Sequence, residues 1–307
     1  MTQTLEQLSR RSDTLFSIRS IVHAMKTLSA INATPYEHAA RSIEAYHETI
    51  LQGFAAFAHR TGELTRDPLD LPEQWILVFG SDHGLCGNYN DVLAALVSRH
   101  CAEQAVGSPR ILCVGMQMND ALLDRGLSPE RVLLPPASAE GIGRLAGDLV
   151  TRLDAADLGQ PLLRISVTMA YTQRSEQGLR EPVTRALLPL DEALLRCERR
   201  WPSRSLPDYT MAPEPLLAGL IRSHLFASVF RASAEAMVTE NAARLALMQQ
   251  AERSIDDRLE QVKGELRSER QADITSELMD VITGFEALKK KRDSTTRTGT
   301  SRVRRQR

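Results

Sequence analysis

Apolar residues near the N-terminus fall at Leu15, Ile18, Val22, Met25 and Leu28, and near the C-terminus at Ile255, Leu259, Val262 and Leu266. Steps of three and four mark a helix with one apolar seam. Neither end carries a core of its own, so the simplest partner for each seam is the other. The pattern predicts an antiparallel helix pair projecting from whatever lies between. A rod held at one end by a globular foot suggests a mechanical or coupling part more than an enzyme.

The first helix is predicted from Thr4 to at least Ile31. Pro35 removes a backbone donor and crowds the preceding turn, so a kink or short break is expected there, with helix again from Glu37 to His59. Thr61 to Pro72, with two prolines and a glycine among polar residues, reads as a linker. Short apolar runs then alternate with helical spacing. Strands are predicted at Gln74–Phe79, Arg110–Val114, Arg131–Leu134 and Leu162–Tyr171, and helices at Asn90–Cys101, Met116–Arg125 and Gly141–Leu153. This alternation predicts a partly parallel sheet. Arg180–Leu190 is a last strand, antiparallel to its neighbour.

Trp201 to Pro215 carries four prolines and reads as irregular. From Leu216 to Lys291 no proline interrupts a helix, which at about 1.5 Å per residue would reach on the order of 110 Å. The predicted fold is therefore α/β with long terminal helices. The N- and C-terminal segments form an antiparallel two-helix coiled coil, and a central Rossmann-like α/β domain lies between them. The predicted boundaries are 1–60, 73–200, an irregular connection at 201–215, 216–288, and a basic unstructured tail at 289–307.

At 307 residues, with 42% hydrophobic and 25% charged residues, the chain has room for a real core and about two structural units. No apolar run approaches the roughly 20 residues of a membrane span, and the first residues lack the apolar stretch of a secretory signal. Direct membrane insertion is not expected. Cys86, Cys101, Cys113 and Cys197 show neither CxxC nor zinc spacing, so free thiols in a reducing compartment are expected. The net charge of −1 conceals an asymmetry. From Lys289 onward nine Lys or Arg face one acid, a local charge of +8, which leaves −9 on the rest.

Few motifs point to chemistry. The loop Gly80-Ser-Asp-His-Gly-Leu-Cys-Gly87 follows the first strand and offers Asp82, His83 and Cys86 as a base and a thiol. The alternative reading is thus a small α/β enzyme with helical oligomerisation arms; the plainer one is a tight docking turn. No GxxxxGK[ST] nucleotide loop occurs. Gly141-Ile-Gly143-Arg-Leu-Ala-Gly147 is one residue too long for a dinucleotide fingerprint and reads as a glycine-rich helix start. The seven histidines include no HExxH, so no metal or other cofactor is expected. The basic tail lacks base-stacking aromatics, which favours a solvated extension or a contact with an acidic partner over nucleic acid.

Several segments together resemble the gamma subunit of F-type ATP synthases. Glu269-Arg-Gln-Ala-Asp-Ile-Thr-Ser-Glu-Leu278 is similar to that family's C-terminal signature. Ile21–Lys26, the GSDHGLCG loop, Leu187–Leu190, Tyr209–Leu217 and Glu240–Met248 follow the family's order, over roughly residues 1–288. The resemblance implies a central rotor shaft. Its terminal helices would lie inside a ring of alpha and beta subunits, and its α/β domain would rest with the epsilon subunit on the membrane proteolipid ring. ATP chemistry would occur in the beta subunits, so no catalytic residue is implied here.

It further implies hexamer contacts at Met25, Lys26, Asp82, Cys86, Arg244, Gln271 and Thr275, and a proteolipid-ring-facing surface at Tyr209 and Glu214. The implied location is peripheral, on the cytoplasmic face of the bacterial inner membrane. The coupling ion, proton or sodium, is left open because ion sites would lie in other subunits.

The chain also departs from the family. Ile31-Asn-Ala-Thr-Pro35 stands where a basic cluster is usual, His83 where the loop usually has arginine, and Asn88 where glycine is common. The basic tail continues past the usual end. These departures point to a divergent branch, the alternate sodium-type bacterial synthase.

Overall fold

A computed structural model describes residues 5–61, 73–103, 109–156, 165–175, 179–191, 194, 205 and 207–303, with side chains as far as Glu286. The elements are α1 (Leu5–Thr61), β1 (Glu73–Phe79), α2 (Tyr89–Glu103), β2 (Arg110–Val114), α3 (Met116–Leu123), β3 (Arg131–Leu133), α4 (Ile142–Ala156), β4 (Ile165–Arg174), β5 (Arg180–Leu188) and α5 (Pro213–Val303). Most of the proposed linker (62–72), the start of the fourth predicted strand (162–164) and much of 192–206 lie outside the described residues. The chain divides into two compact units, one of residues 25–249 and one of residues 1–24 with 250–307.

In the larger unit the five strands lie in the order β3-β2-β1-β4-β5. β1 pairs in parallel with β2 and β4, and β2 in parallel with β3. β5 is antiparallel to β4, as its place after a short connection requires. β1 reads as one apolar run because both its faces are covered. Trp75, Leu77 and Phe79 join a core with α4, with Ile43, Ile50 and Phe54 of α1 and with Ile221 and Leu225 of α5. Ile76 and Val78 pack on the other face against Leu93 and Val97 of α2 and Met118 and Leu122 of α3. The inner stretches of both long helices thus bury their apolar faces on the sheet.

Helix extends beyond its expected bounds at three places. α1 passes Pro35 as one unbroken helix. Tyr36, immediately after it, is buried against Ile142, Ala234 and Val238, and its hydroxyl donates to the Pro136 carbonyl at 3.0 Å. That packing holds the helix where one ladder bond is lost. α5 begins at Pro213, inside the stretch expected to be irregular, because Pro213 and Pro215 occupy first-turn positions whose N–H groups have no helical acceptor anyway. The α5 backbone also stays helical through Val303, beyond the expected start of an unstructured tail, since no proline follows Pro215.

In the smaller unit α1 and α5 pair antiparallel. Arg19 Nε donates to Asp256 at 2.5 Å, and four residues further along α1, His23 meets Glu252 at 2.9 Å, four residues back along α5. The α5 seam is the expected one, with Leu259 and Val262 buried and Ile255 and Leu266 half-buried. The α1 seam is not. Leu8 and Val22 are buried and Leu15 is half-buried, whereas Ile18 is 42% exposed; Leu28, in the larger unit, is 59% exposed. Leu8, Leu15 and Val22 repeat every seven residues, the coiled-coil period. Ile18 falls between those turns. By the register of the two ion pairs, Leu5 stands opposite Arg270, and from Gln271 to Glu286 every residue of α5 is exposed.

Candidate functional site, a loop clamped to the C-terminal helix

The parallel strands deliver their loops to one edge of the sheet, and the loop after β1 is Gly80–Gly87. Two glycines let it leave that edge. Gly80 N donates to the Val114 carbonyl and Gly115 N to the Leu133 carbonyl, each at 2.9 Å. A Cβ on Gly80 would strike Met118, and one on Gly115, whose φ is +105°, would strike the Ser81 carbonyl. Within the loop Ser81 N donates to Asn90 Oδ1 at 3.0 Å, and Asn90 Nδ2 donates back to Ser81 Oγ at 2.8 Å. Asp82 Oδ1 accepts from Met116 N at 3.2 Å, at the start of α3.

α5 clamps this loop. Arg244 Nη2 donates to Glu240 Oε1 at 2.6 Å and to the His83 carbonyl at 3.3 Å, and its Nε donates to the Gly84 carbonyl at 3.5 Å. One turn earlier Thr239 Oγ1 donates to the Thr172 carbonyl of β4 at 2.9 Å, and the Tyr89 hydroxyl donates to the Ala236 carbonyl at 3.0 Å. Doubly wound folds receive ligands outside the carboxyl ends of their strands; here a helix is hydrogen-bonded across that place. The Arg244 and Glu240 side chains are only 11% and 6% exposed. Burial pushes the Glu240 carboxyl up, against the opposing pull of the Arg244 charge.

The enzyme reading of this loop fails on geometry. Cys86 is buried, its Sγ lies 3.4 Å from Ser81 Oγ, and burial pushes its thiol up, away from the reactive thiolate. The His83 side chain is 83% exposed, with its ring 3.7 Å from Asp82 Oδ2. Asp82 itself is spent on the α3 backbone. The three groups do not converge on one reacting atom.

Asp82, Cys86 and Arg244 thus belong to one cluster. Met25 and Lys26 are half-buried on α1. Tyr209 stacks on Phe57 at 5.9 Å, shares a 2.7 Å hydrogen bond with Thr61 and lies under the Arg60 guanidinium at 5.5 Å. Glu214 is exposed in the first turn of α5, where the helix dipole favours an acid. Gln271 and Thr275 lie in the smaller unit, both exposed, with Thr275 Oγ1 donating to the Gln271 carbonyl at 2.7 Å.

Sequence reasoning missed Ser81, Tyr89, Asn90, Thr239 and Glu240. The signal for the last two was available. Thr239-Glu240-Asn241 is a polar trio on a helix whose neighbouring stretch is rich in alanine, and all three side chains are buried.

The class is thus an α/β unit whose strand-end edge is closed by a helix, with a separate antiparallel helix pair. A family model described as ATP synthase matches residues 4–288. The chain belongs to the ATP synthase gamma chain family, the non-catalytic central-stalk subunit of F-type ATP synthase. It is 27% identical over 301 residues to the ATP synthase gamma chain of Dinoroseobacter shibae, covering 92% of this chain and 99% of that one. The gamma chain of Chlorobaculum parvum is 25% identical over 304 residues, with coverage of 93% and 99%. In fold the chain is similar to a chain of the Euglena gracilis mitochondrial ATP synthase rotor, with TM-score 0.57, 14% identity and coverage of 88% of this chain and 98% of that one.

Proposed function

We propose that this chain couples ion flow through a membrane proteolipid ring to ATP synthesis or hydrolysis in a surrounding hexamer of alpha and beta subunits, with the epsilon subunit at its foot. The observation that carries this reading is the end of α5. Ile274, Leu278, Val281, Ile282 and Phe285 are all more than half exposed, and Phe285 reaches 75%. They recur at helical spacing just where α1 no longer accompanies α5. Such a face suits a bearing supplied by other subunits, and Gln271 and Thr275 at its edge supply polar contacts there. An asymmetric shaft favours a different conformation in each of three surrounding sites, which is how contact becomes coupling.

In this reading Met25, Lys26 and Arg244 contact the surrounding hexamer, Asp82 and Cys86 lie near its base, and the shielded Cys86 serves there as packing. Tyr209 and Glu214 face the proteolipid ring. The complex sits on the cytoplasmic face of a bacterial inner membrane. The departures at Ile31–Pro35, at His83 and in the tail support the sodium-type branch as the finer assignment; sodium-dependent ATP hydrolysis by the complex tests it. Co-expression with the matching alpha and beta subunits tests the main reading: one co-purifying complex supports it, and separate elution rejects it.

A further inference from the structure

The last turn of α1 puts Phe57, Arg60 and Thr61 on one face, at steps of three and four residues. All three reach the irregular segment that precedes α5. The Phe57 and Tyr209 rings stack with centroids 5.9 Å apart and planes inclined by 11°. The Thr61 and Tyr209 hydroxyls share a 2.7 Å hydrogen bond. The Arg60 guanidinium lies 5.5 Å from the Tyr209 ring centroid, and its Nη1 is 2.6 Å from Asp208 Oδ1. That same carboxylate oxygen accepts from Tyr209 N at 2.8 Å. Arg60 therefore holds Tyr209 twice, at its ring and through the carboxylate that fixes its backbone.

We propose that Arg60 is a positioning residue for torque transfer. It locks residues 208–211 to the end of α1, so that the surface turned toward the proteolipid ring moves with the helix instead of yielding against it. This role rests on the reading of Tyr209 and Glu214 as ring-facing. Residues 207–212 belong to no helix or strand. Among the described residues, the polar and ring contacts of 207–211 are all made by Asp208 and Tyr209. A segment without a backbone ladder is only as stiff as such side-chain ties make it. Its base is firm, because Phe57 is buried, while Met211 just past the ties is 56% exposed. The Arg60–Asp208 pair is itself exposed and adds little to global stability, so its loss loosens the segment without unfolding the unit. A planar guanidinium can pair with the carboxylate and lie over the ring at once, which a lysine ammonium does less well.

The test follows exchange of the Tyr209 amide in the full-length chain, and coupling in the complete complex in membrane vesicles. Coupling is the initial build-up of membrane potential, read with a voltage-sensitive dye, per ATP hydrolysed. Arg60→Met removes an exposed pair and a cation–π contact, which speeds Tyr209 exchange about tenfold and lowers the potential built per ATP while hydrolysis is retained. Arg60→Lys restores part of both. Thr61→Val removes the other bond to Tyr209 and moves both readouts the same way by less; it decides the matter where Arg60→Met fails to assemble. Unchanged exchange in these variants would overturn the clamp. Faster exchange with full potential per ATP would overturn the positioning role and leave the rotor reading standing. An unaltered complex that hydrolyses ATP and builds no potential would reject the rotor reading, and this role with it.

Discussion

The Arg244 guanidinium lies 2.6 Å from the Glu240 carboxylate, one helical turn away, and both are buried while Arg244 also holds two carbonyls of the β1 loop. A pair so placed is worth little against apolar replacement, yet removing one partner strands a buried charge, at a cost of about 3–5 kcal/mol.

Arg244→Met is therefore expected to destabilise the larger unit by several kcal/mol, and adding Glu240→Leu to recover most of the loss. The double variant still lacks the donors to His83 and Gly84, so its loop exchanges amide hydrogens faster. Urea unfolding with hydrogen exchange separates the two effects; equal stability of the single and double variants would contradict the pairing.

A half-buried histidine and a buried acid tilt stability in opposite directions with pH. His224 has its folded-state value lowered from 6.5 to about 4, so the unfolded chain binds the proton more tightly between those values. Its contribution is full above pH 6.5 and is lost as pH falls toward 4, about 3 kcal/mol in all. Glu240 is raised, so its contribution is present below its unfolded value of about 4.5 and declines as pH rises through the folded one. His224→Gln should flatten the rise in stability between pH 4 and 6.5, and Glu240→Gln should steepen it. Unfolding free energies at half-unit pH steps check both signs.

The seam makes a positional prediction. Leu259→Ala, at a buried position, should cost about 3 kcal/mol and speed exchange in residues 5–24 and 250–270. Ile18→Ala should change stability by no more than about 0.5 kcal/mol. A reversal of that order would mean that α1 is rotated about its axis relative to the register given by Arg19 and Asp256.

Glycines divide in the same way. Gly115→Ala introduces a Cβ against the Ser81 carbonyl at positive φ and should destabilise by at least about 2 kcal/mol. Gly147→Ala, in α4 with open space around its Cβ, should stabilise by about 0.5–1 kcal/mol. Thermal melting of both variants distinguishes a required glycine from a tolerated one.

The central elements were legible almost residue by residue. Arg110–Val114 is bounded as predicted, because a short apolar run covered on both faces and closed by Gly115 admits one reading. The α5 seam was legible because Ile255, Leu259, Val262 and Leu266 are the only large apolar residues between Gln250 and Arg270. The α1 seam was legible only in part. Half-buried Arg19 lies on its inner face with Leu15 and Val22 while Phe16, Ile18 and Ile21 are exposed, so hydrophobicity alone does not pick out the stripe. Of the site, the glycine loop was visible as a motif. Its clamp was not, since Thr239, Glu240 and Arg244 meet Thr172 and His83 only after the sheet has formed.

The most direct test follows the angle of this chain inside the assembled complex. A fluorescent rod attached to the α/β unit, with the hexamer of alpha and beta subunits fixed to a surface, is observed while ATP is supplied. Stepwise rotation in one direction that stops when ATP is withdrawn is the predicted result. ATP consumption beneath a stationary rod would contradict the account.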